Sequence, residues 1–329
     1  MLFNTDFEDS EAVLKEVQKI KSNFKQRYNQ SPLNTVAEYN EASWSTANAY
    51  DNYICQLEYY YFLDEVEQLL EKNPTEVSEN LRKASHLALN KNDLVVGYVG
   101  NNTQLETLKA QIQSLIKVLP SDIVEEADYS QLKQYDNVGI KIDSTMNYNM
   151  LGASYEDLGI ELDGKYIPIL SVIGENYTLP QVRYQNNVYS TIEEASTYGL
   201  YFITYMDPYI HQTLEVYKGI DEFIEGYDLT QEALDRYILK AFSTYTIGTG
   251  ELSGALGAIN NKLVVYTSED ELKLLNQIKS TKVEDFKAFA DVVRKLEEKG
   301  TFTTAGNTHN LSEHKGLYDE IMGLEKDNE

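Results

Sequence analysis

The sequence predicts an α+β protein made of two-layer α/β sandwiches, each an antiparallel-rich sheet with helices on one face. Two observations lead to this prediction. The first third of the chain repeats apolar residues at helical spacing, whereas the later part mixes helical and alternating patterns. Residues 199–205 alternate between two faces, and the Asp207-Pro208 turn and a new helical pattern follow directly. A strand that turns back into a covering helix is typical of such a sandwich.

Residues 1–119 form the predicted first domain, which is rich in helices. Apolar side chains such as Val13, Val17 and Phe24 share one helical face. The helical patterns cover residues 11–28, 33–71, 74–89 and 104–119, and a short buried strand is predicted at residues 93–100. One strand among helices makes only part of a sandwich. The first sandwich is therefore predicted to be incomplete, with an apolar face open to self-association or to a partner segment.

Residues 120–136 are acidic and loop-like, and they are predicted to link this domain to a complete C-terminal sandwich at residues 137–329. The predicted strands lie near residues 138–142, 146–153, 199–205 and 302–306, the last as an edge strand that closes the sheet. The predicted helices lie at residues 165–176, 211–227, 231–244, 269–278 and 283–299. The second domain therefore has enough elements for a sheet and its covering layer.

The charge balance bears on the class of partner. The chain has 329 residues, with 53 acidic and 28 basic side chains and a formal net charge of −25. Such a field repels phosphate backbones, so no nucleic-acid partner is predicted. The charge suits cationic ligands such as basic peptides, although a solvated acidic surface accounts for it as well.

Location and redox context follow from the apolar runs and the cysteine count. No apolar run approaches the roughly 20 residues that span a bilayer, so no membrane partner is predicted. Residues 1–6 lack the basic and apolar regions of a signal peptide, so a cytoplasmic location is expected, with a leader already removed as the alternative. The single Cys55 excludes an intrachain disulfide and a multi-cysteine zinc site.

Motifs for catalysis are missing from the sequence. His309 and His314 are five residues apart, whereas H-x-x-E-H places its histidines four apart on one helix face. A loop without a metal is predicted there. The chain has no G-x-S-x-G, and glycine-rich residues 248–254 lack the Lys-Ser/Thr of a phosphate loop, so a connector loop is predicted. No catalytic residue, metal ligand or bound cofactor is therefore predicted in this chain.

Several segments carry a family resemblance that covers nearly the whole chain. Residues 183–190 read R-Y-Q-N-N-V-Y-S, the Asp207-Pro208 turn follows, and residues 213–219 read T-L-E-V-Y-K-G. This order resembles the last domain of the pitrilysin/insulinase-type zinc metallopeptidases, in the presequence-protease branch, where R-x-x-G-G-A-Y-G precedes a strand, a D-P-N turn and T-L-E-V-Y-x-G. Leu2–Asp9, Y-Y-Y-F-L at residues 59–63 and V-G-Y-V-G at residues 96–100 resemble the domain before it.

The resemblance implies the C-terminal half of such a peptidase, without the zinc-binding half. Zinc and the catalytic Glu would lie in the missing N-terminal half, which belongs to the same or a companion polypeptide. This chain alone is then expected to be inactive. Its implied role is to close over the catalytic half and to hold an unfolded peptide substrate. The alternative is a degenerate peptide-binding or scaffold protein without peptidase activity, and an independent enzyme of another class has no motif support.

Arg183 and Tyr189 are the candidate substrate-binding residues. Their spacing alone predicts an ordinary salt bridge for Arg183 and a packed ring for Tyr189. The family resemblance implies that the matching Arg and Tyr face the catalytic chamber, contact the peptide and help to stabilise the developing oxyanion, a role that suits two hydrogen-bond donors. The chain departs from the family pattern at four neighbouring positions, which are Asn186, Asn187, Val188 and Ser190 in place of Gly, Gly, Ala and Gly. These departures bear on substrate handling, because loss of glycine alters how closely a peptide backbone can approach.

Overall fold

The computed structural model describes residues 5–92, 94–123, 125, 127–132, 134–246 and 251–325. These residues divide into two compact units. The first unit lies within Met1–Asn23, Tyr61–Asp128 and Gly248–Thr267, and the second within Phe24–Tyr60, Tyr129–Ile247 and Ser268–Glu329. The boundaries predicted for domains at residues 1–119, 120–136 and 137–329 stay a prediction.

Helices dominate the described chain, and six strands form one sheet. The helices are α1 (Ser10–Gln30), α2 (Pro32–Glu41), α3 (Thr46–Cys55), α4 (Leu57–Lys72), α5 (Pro74–Ala88), α6 (Asn102–Ile116), α7 (Tyr155–Leu158), α8 (Tyr166–Ile173), α9 (His211–Lys218), α10 (Ile220–Gly226), α11 (Gln231–Thr246), α12 (Glu251–Leu263), α13 (Ser268–Lys279), α14 (Val283–Lys299) and α15 (Thr308–Glu313). The strands are β1 (Val138–Lys141), β2 (Asn147–Ser154), β3 (Ser190–Ala195), β4 (Gly199–Asp207), β5 (Thr301–Gly306) and β6 (Glu320–Met322). Within the described residues, none of these helices is both long enough and apolar enough to cross a membrane.

Side-chain caps explain where several helices begin. The Asp9 carboxylate accepts a hydrogen bond from the Ala12 amide at 3.0 Å and starts α1. The Ser45 hydroxyl accepts from the Asn48 amide at 3.1 Å, and this cap begins α3 inside the block that the sequence predicts as one long helix. Asn101 caps α6 in the same way. Within the predicted helical block at residues 33–71, the Ser45 cap therefore separates α3 from α2, and the extended backbone at Gln56 separates α3 from α4.

The strand predicted at residues 93–100 falls in the first unit, where the structure describes residues 94–100. Its described part from Leu94 to Gly100 has no strand pairing, and that prediction is wrong for these residues. Val95, Val96 and Val99 are 66%, 47% and 56% exposed. The physical reason is that the described residues of this unit contain no second strand, so the segment has no backbone partner to pair with.

The second unit is built on a six-stranded sheet with the order β3-β4-β2-β5-β1-β6. The β3–β4, β4–β2 and β2–β5 pairs are antiparallel, and β1 is parallel to both β5 and β6. The antiparallel-rich α/β class is therefore confirmed. The predicted edge position of β5 is wrong, since β5 lies between β2 and β1 and the edges are β3 and β6. Local sequence could not indicate this, because the parallel partner β1 is far away along the chain.

One face of the sheet carries the main apolar core. Leu151, Phe202 and Phe302 point from β2, β4 and β5 into this core and are at most 5% exposed. The helices α8, α10 and α14 supply the opposite wall, with Leu170, Ile173, Ile220, Ile224, Phe286, Phe289 and Val293. Full burial of one such side chain is worth about 1.5–3 kcal/mol, so this layer of helices on the sheet stabilises the second unit strongly.

The opposite face of the sheet is partly covered by α2, which the sequence analysis did not predict. The Asn40 amide nitrogen donates to the Thr301 carbonyl at 2.8 Å and to Thr303 Oγ1 at 3.1 Å. Gly152 of β2 lies beneath this helix, and a Cβ at Gly152 would be 2.8 Å from the Trp44 ring. Helices therefore lie on both faces of the sheet, rather than on one face alone.

Glu41 at the end of α2 gives a prediction about pH. Burial, followed by the nearby carboxylates of Glu194 and Glu38, raises the pKa of Glu41 to about 7. Because the folded pKa lies above the unfolded one, Glu41 contributes stability at low pH, and this contribution is lost as the pH rises towards 7. Glu41→Gln is expected to raise the melting temperature at pH 8 by roughly 2–4 °C and to change it little at pH 4.5. Thermal denaturation at both values tests this, and a gain for the exposed Glu161→Gln control of the same size would contradict it.

Candidate functional site

Arg183 and Tyr189 lie at the two ends of a closed loop in the second unit. The helix α8 continues into two π-helical segments, Gly174–Thr178 and Pro180–Gln185, and Arg183 lies in the second. The Val188 amide then donates to the Val182 carbonyl at 3.2 Å. Both valines are buried, at 1% and 0% exposed. The chain therefore turns back on itself, and the residue after each buried valine is an exposed candidate residue.

Asn187 makes this reversal possible. Its φ is 57°, in the left-handed region, whereas φ of Asn186 is −115°. Asparagine enters this region more readily than most non-glycine residues. The loop therefore reverses direction with Asn187 at a position where the family pattern has glycine, so loss of that glycine has not removed the backbone conformation that glycine favours.

Tyr189 is fixed through an aromatic contact, whereas Arg183 projects from the helix without an ionic partner. The Tyr189 ring lies 5.2 Å from the Tyr205 ring, centroid to centroid, yet Tyr189 remains 57% exposed. Across the sheet, Tyr205 of β4 is paired in register with Ser190 and Tyr148. Among the described residues, no carboxylate lies within ion-pair distance of the Arg183 guanidinium. Their joint role in binding a peptide stays a prediction.

The Asp207-Pro208 turn beside Tyr205 is held by a buried polar network. The Asp207 carboxylate is fully buried and accepts hydrogen bonds from the Tyr209 amide at 2.8 Å, Thr204 Oγ1 at 2.7 Å and Asn149 Nδ2 at 2.9 Å. Thr213 Oγ1 of α9 is a fourth donor. The pKa of the Asp207 carboxyl is raised, because the effect of burial is larger than the opposing effect of these hydrogen bonds. The sequence analysis missed the three side-chain partners, for which polar residues within buried elements were the available signal.

The histidine-rich segment is a short helix rather than the predicted loop. Asn307 caps α15, accepting from the Asn310 amide at 2.8 Å, which explains why the segment is helical. His309 Nε2 lies 3.5 Å from Glu313, and His314 Nδ1 lies 2.9 Å from the Asn310 carbonyl oxygen. Within the part of the chain that the structure describes, no group of three or more His, Cys, Asp or Glu residues is placed to hold a metal.

The glycine-rich segment was also predicted as a loop. Residues 248–250 lie outside the described residues, but from Glu251 the backbone forms α12. The loop prediction is therefore wrong for residues 251–254. The misleading signal was Gly254, which stands inside a helix, where glycine costs about 1 kcal/mol relative to alanine and is still tolerated.

Metal content of the isolated chain is a direct prediction. The purified 329-residue chain is expected to bind less than one zinc per ten molecules and to cleave no peptide, because its histidines are not spaced for a zinc motif. Metal analysis after zinc loading and desalting, together with a quenched-fluorescent peptide assay, measures both. One tightly bound zinc per chain that disappears in His309→Ala or His314→Ala would overturn this expectation.

Comparison with known proteins places this fold and loop in a family. The crystal structure of pitrilysin superposes with a TM-score of 0.60 at 11% identity, covering 98% of this chain and 34% of that chain. The chain therefore shares the fold of about a third of pitrilysin. A family model described as the PreP C-terminal domain matches residues 140–305, and the chain belongs to this family.

Two curated relatives agree with this assignment. Protein HypA of Clostridium perfringens (strain 13 / Type A) is 27% identical over 288 residues, which cover 86% of this chain and 29% of the relative. Presequence protease 1, chloroplastic/mitochondrial, of Arabidopsis thaliana is 22% identical over 321 residues, covering 94% of this chain and 29% of the relative. The chain thus spans less than a third of the length of these relatives. The predicted resemblance to the C-terminal part of presequence proteases is confirmed.

Proposed function

We propose that the chain is the non-catalytic C-terminal half of a zinc metalloendopeptidase that degrades unfolded peptides. Its role is to close over the catalytic half and to hold the substrate peptide. Membership of the PreP C-terminal domain family supports this role, as does a relative named as a presequence protease. The zinc ion, the general base and the activated water belong to the partner half in this proposal.

The observation that carries the proposal is the closed loop with two exposed donors at its ends. The buried Val182 and Val188 fix the loop to the second unit, while Arg183 and Tyr189 remain accessible. A guanidinium and a phenol hydroxyl are donors that suit a peptide carbonyl oxygen or an oxyanion. Because a hydrogen bond closes the loop, the backbone positions from which both donors extend would be fixed before the peptide arrives.

The partner in this proposal is the catalytic half, carried by the same or a companion polypeptide. The first unit supports the need for a partner, because Leu94–Gly100 exposes valines and lacks a paired strand. A neighbouring strand from the catalytic half would cover the exposed valines and form hydrogen bonds with the backbone groups of this segment. Self-association of two chains through the same segment is the competing outcome.

The experiment is reconstitution with the zinc-bearing half of a presequence protease. We expect the mixture to cleave an unfolded, quenched-fluorescent peptide at least tenfold faster than either half alone. A catalytic half whose H-x-x-E-H glutamate is replaced by glutamine is the matched control. Co-elution of the two halves without any gain in cleavage, together with peptide binding by this chain alone, would instead support the degenerate binding protein.

A further inference from the structure

Glu193 joins the edge strand β3 to the π-helical segment that precedes the candidate loop. Its side chain lies on the same face of the sheet as Phe202, its register partner in the main apolar core, and accepts a hydrogen bond from Thr178 Oγ1, whose residue is fully buried. The carboxylate lies directly against Gly174, where an added Cβ would overlap its Oε2 atom. The carboxylate is therefore held between β3 and the start of the π-helical segment.

The Thr178–Glu193 contact joins the chain segments on either side of the two candidate residues. Along the chain, Thr178 comes before Arg183, and Glu193 comes after Tyr189. The Thr178–Glu193 hydrogen bond, here called the outer contact, thus closes a larger loop of the chain. This larger loop contains the smaller loop closed by the hydrogen bond from the Val188 amide to the Val182 carbonyl. Both candidate residues lie between the same two contacts. Displacing the outer contact would change the path of the chain on either side of them.

The π-helical geometry gives the outer contact a specific role. Two π-helical segments follow each other at Gly174–Thr178 and Pro180–Gln185, although π-helices are rare and usually limited to single turns. Such a stretch persists when surrounding contacts fix it. Thr178 is the last residue of the first segment, so its bond to Glu193 anchors the widened helix one turn before Arg183.

We infer that Glu193 is a positioning residue for Arg183 and Tyr189, acting by anchoring the π-helical segment to β3. This inference rests on the proposed function for its effect on peptide cleavage, but not for its effect on the loop. Burial raises the pKa of Glu193, and its hydrogen bonds oppose that rise. The anchoring requires an acceptor oxygen for Thr178 and free space at Gly174.

Four substitutions test the contact, and together they separate the acceptor from the charge. Glu193→Ala removes the acceptor, and Thr178→Val removes the donor with little change of shape. Glu193→Gln keeps a carbonyl oxygen for Thr178 while removing the charge. Gly174→Ala leaves both partners intact but displaces the carboxylate, and Gly226→Ala is its matched control because a Cβ there meets no atom within 4 Å.

Hydrogen exchange of the chain tests the anchoring without any activity. In Glu193→Ala and Thr178→Val, amides in residues 182–189 are expected to exchange at least tenfold faster than in the parent, while the amides of α14 exchange as before. Glu193→Gln is expected to stay within twofold of the parent. Unchanged exchange of residues 182–189 in Glu193→Ala would overturn the inference, as would equal acceleration in α14, which would indicate general destabilisation.

Kinetics of the reconstituted enzyme test the positioning role. Glu193→Ala is expected to lower kcat/KM by about tenfold, since misplacing a positioned group by 1 Å can cost up to 100-fold, and Glu193→Gln is expected to restore it. In an Arg183→Ala/Tyr189→Phe background, Glu193→Ala should have little further effect, because Glu193 acts on cleavage only through these two residues. Full additivity of the two losses would overturn the positioning role. An Arg183→Ala variant with parental activity would refute the proposed function instead, and the exchange result would still decide the anchoring.

Discussion

Arg183→Ala is expected to lower kcat/KM of the reconstituted peptidase by about 100-fold to 1,000-fold, the usual cost of removing one donor to a developing oxyanion. Tyr189→Phe is expected to have an effect in the same direction, because it removes only the hydroxyl and leaves the ring against Tyr205. Steady-state cleavage of an unfolded, quenched-fluorescent peptide measures both variants. A loss confined to KM would assign the residue to binding of the ground-state peptide rather than to the transition state.

The fold of these variants should remain intact. Arg183 and Tyr189 are exposed, and substitutions at exposed positions usually change the free energy of unfolding by less than about 0.5 kcal/mol. Tyr184→Phe is the matched control, because this tyrosine lies in the same loop and is 81% exposed. The substrate-holding role would be wrong if Arg183→Ala and Tyr189→Phe unfolded the second unit while each remaining folded molecule kept parental activity.

Asp207→Ala is expected to lower the free energy of unfolding of the second unit by about 3–5 kcal/mol. Its carboxylate is the shared acceptor for Asn149, Thr204 and Thr213. Asn149 Nδ2 keeps the Tyr209 carbonyl as an acceptor at 2.9 Å, but both buried hydroxyls lose the carboxylate, and each buried donor left without a partner costs about 1–3 kcal/mol. The same network holds the turn between β4 and α9, so the loss should be cooperative. Urea denaturation followed by circular dichroism gives the free energy.

Two further variants make this result specific. Asp207→Asn keeps one acceptor oxygen and is expected to lose about half as much, because part of the network can still form. Asp228→Ala removes an exposed carboxylate just before α11 and should change stability by less than about 0.5 kcal/mol. Equal stability of Asp207→Ala and the parent would mean that water or a rearranged turn satisfies the three donors.

Elements with strong local patterns could be predicted from the sequence. The alternation at residues 199–205 corresponds to β4, and the patterns at residues 231–244 and 283–299 correspond to α11 and α14. In these segments the apolar period matches the burial that the fold imposes, and caps such as Thr230, which accepts from the Ala233 amide at 3.2 Å, mark the ends. Local propensity and tertiary packing agree there.

The elements that position the candidate site could not be predicted in the same way. The helix predicted at residues 165–176 continues as π-helix to Gln185, and no apolar period distinguishes a π-helical turn from an α-helical one. The bond from Thr178 to Glu193 and the covering of the sheet by α2 depend on contacts between distant residues. The sequence could indicate Arg183 and Tyr189 through a family pattern, but not the contacts that hold their loop.

The central position of β5 has a consequence for how the second unit folds. Asn149 of β2 bonds to Thr304 of β5 across 155 residues, and Asn40 reaches the Thr301 carbonyl across 261 residues. Contacts between residues so far apart in the sequence slow folding, because the distant segments must meet before either gains stability. During synthesis, β3, β4 and β2 emerge long before β5 can insert beside β2. Until then β2 presents an open edge, and open edges pair readily with other chains. The nascent chain is therefore most prone to aggregate through β2, a strand that is fully enclosed once folding is complete.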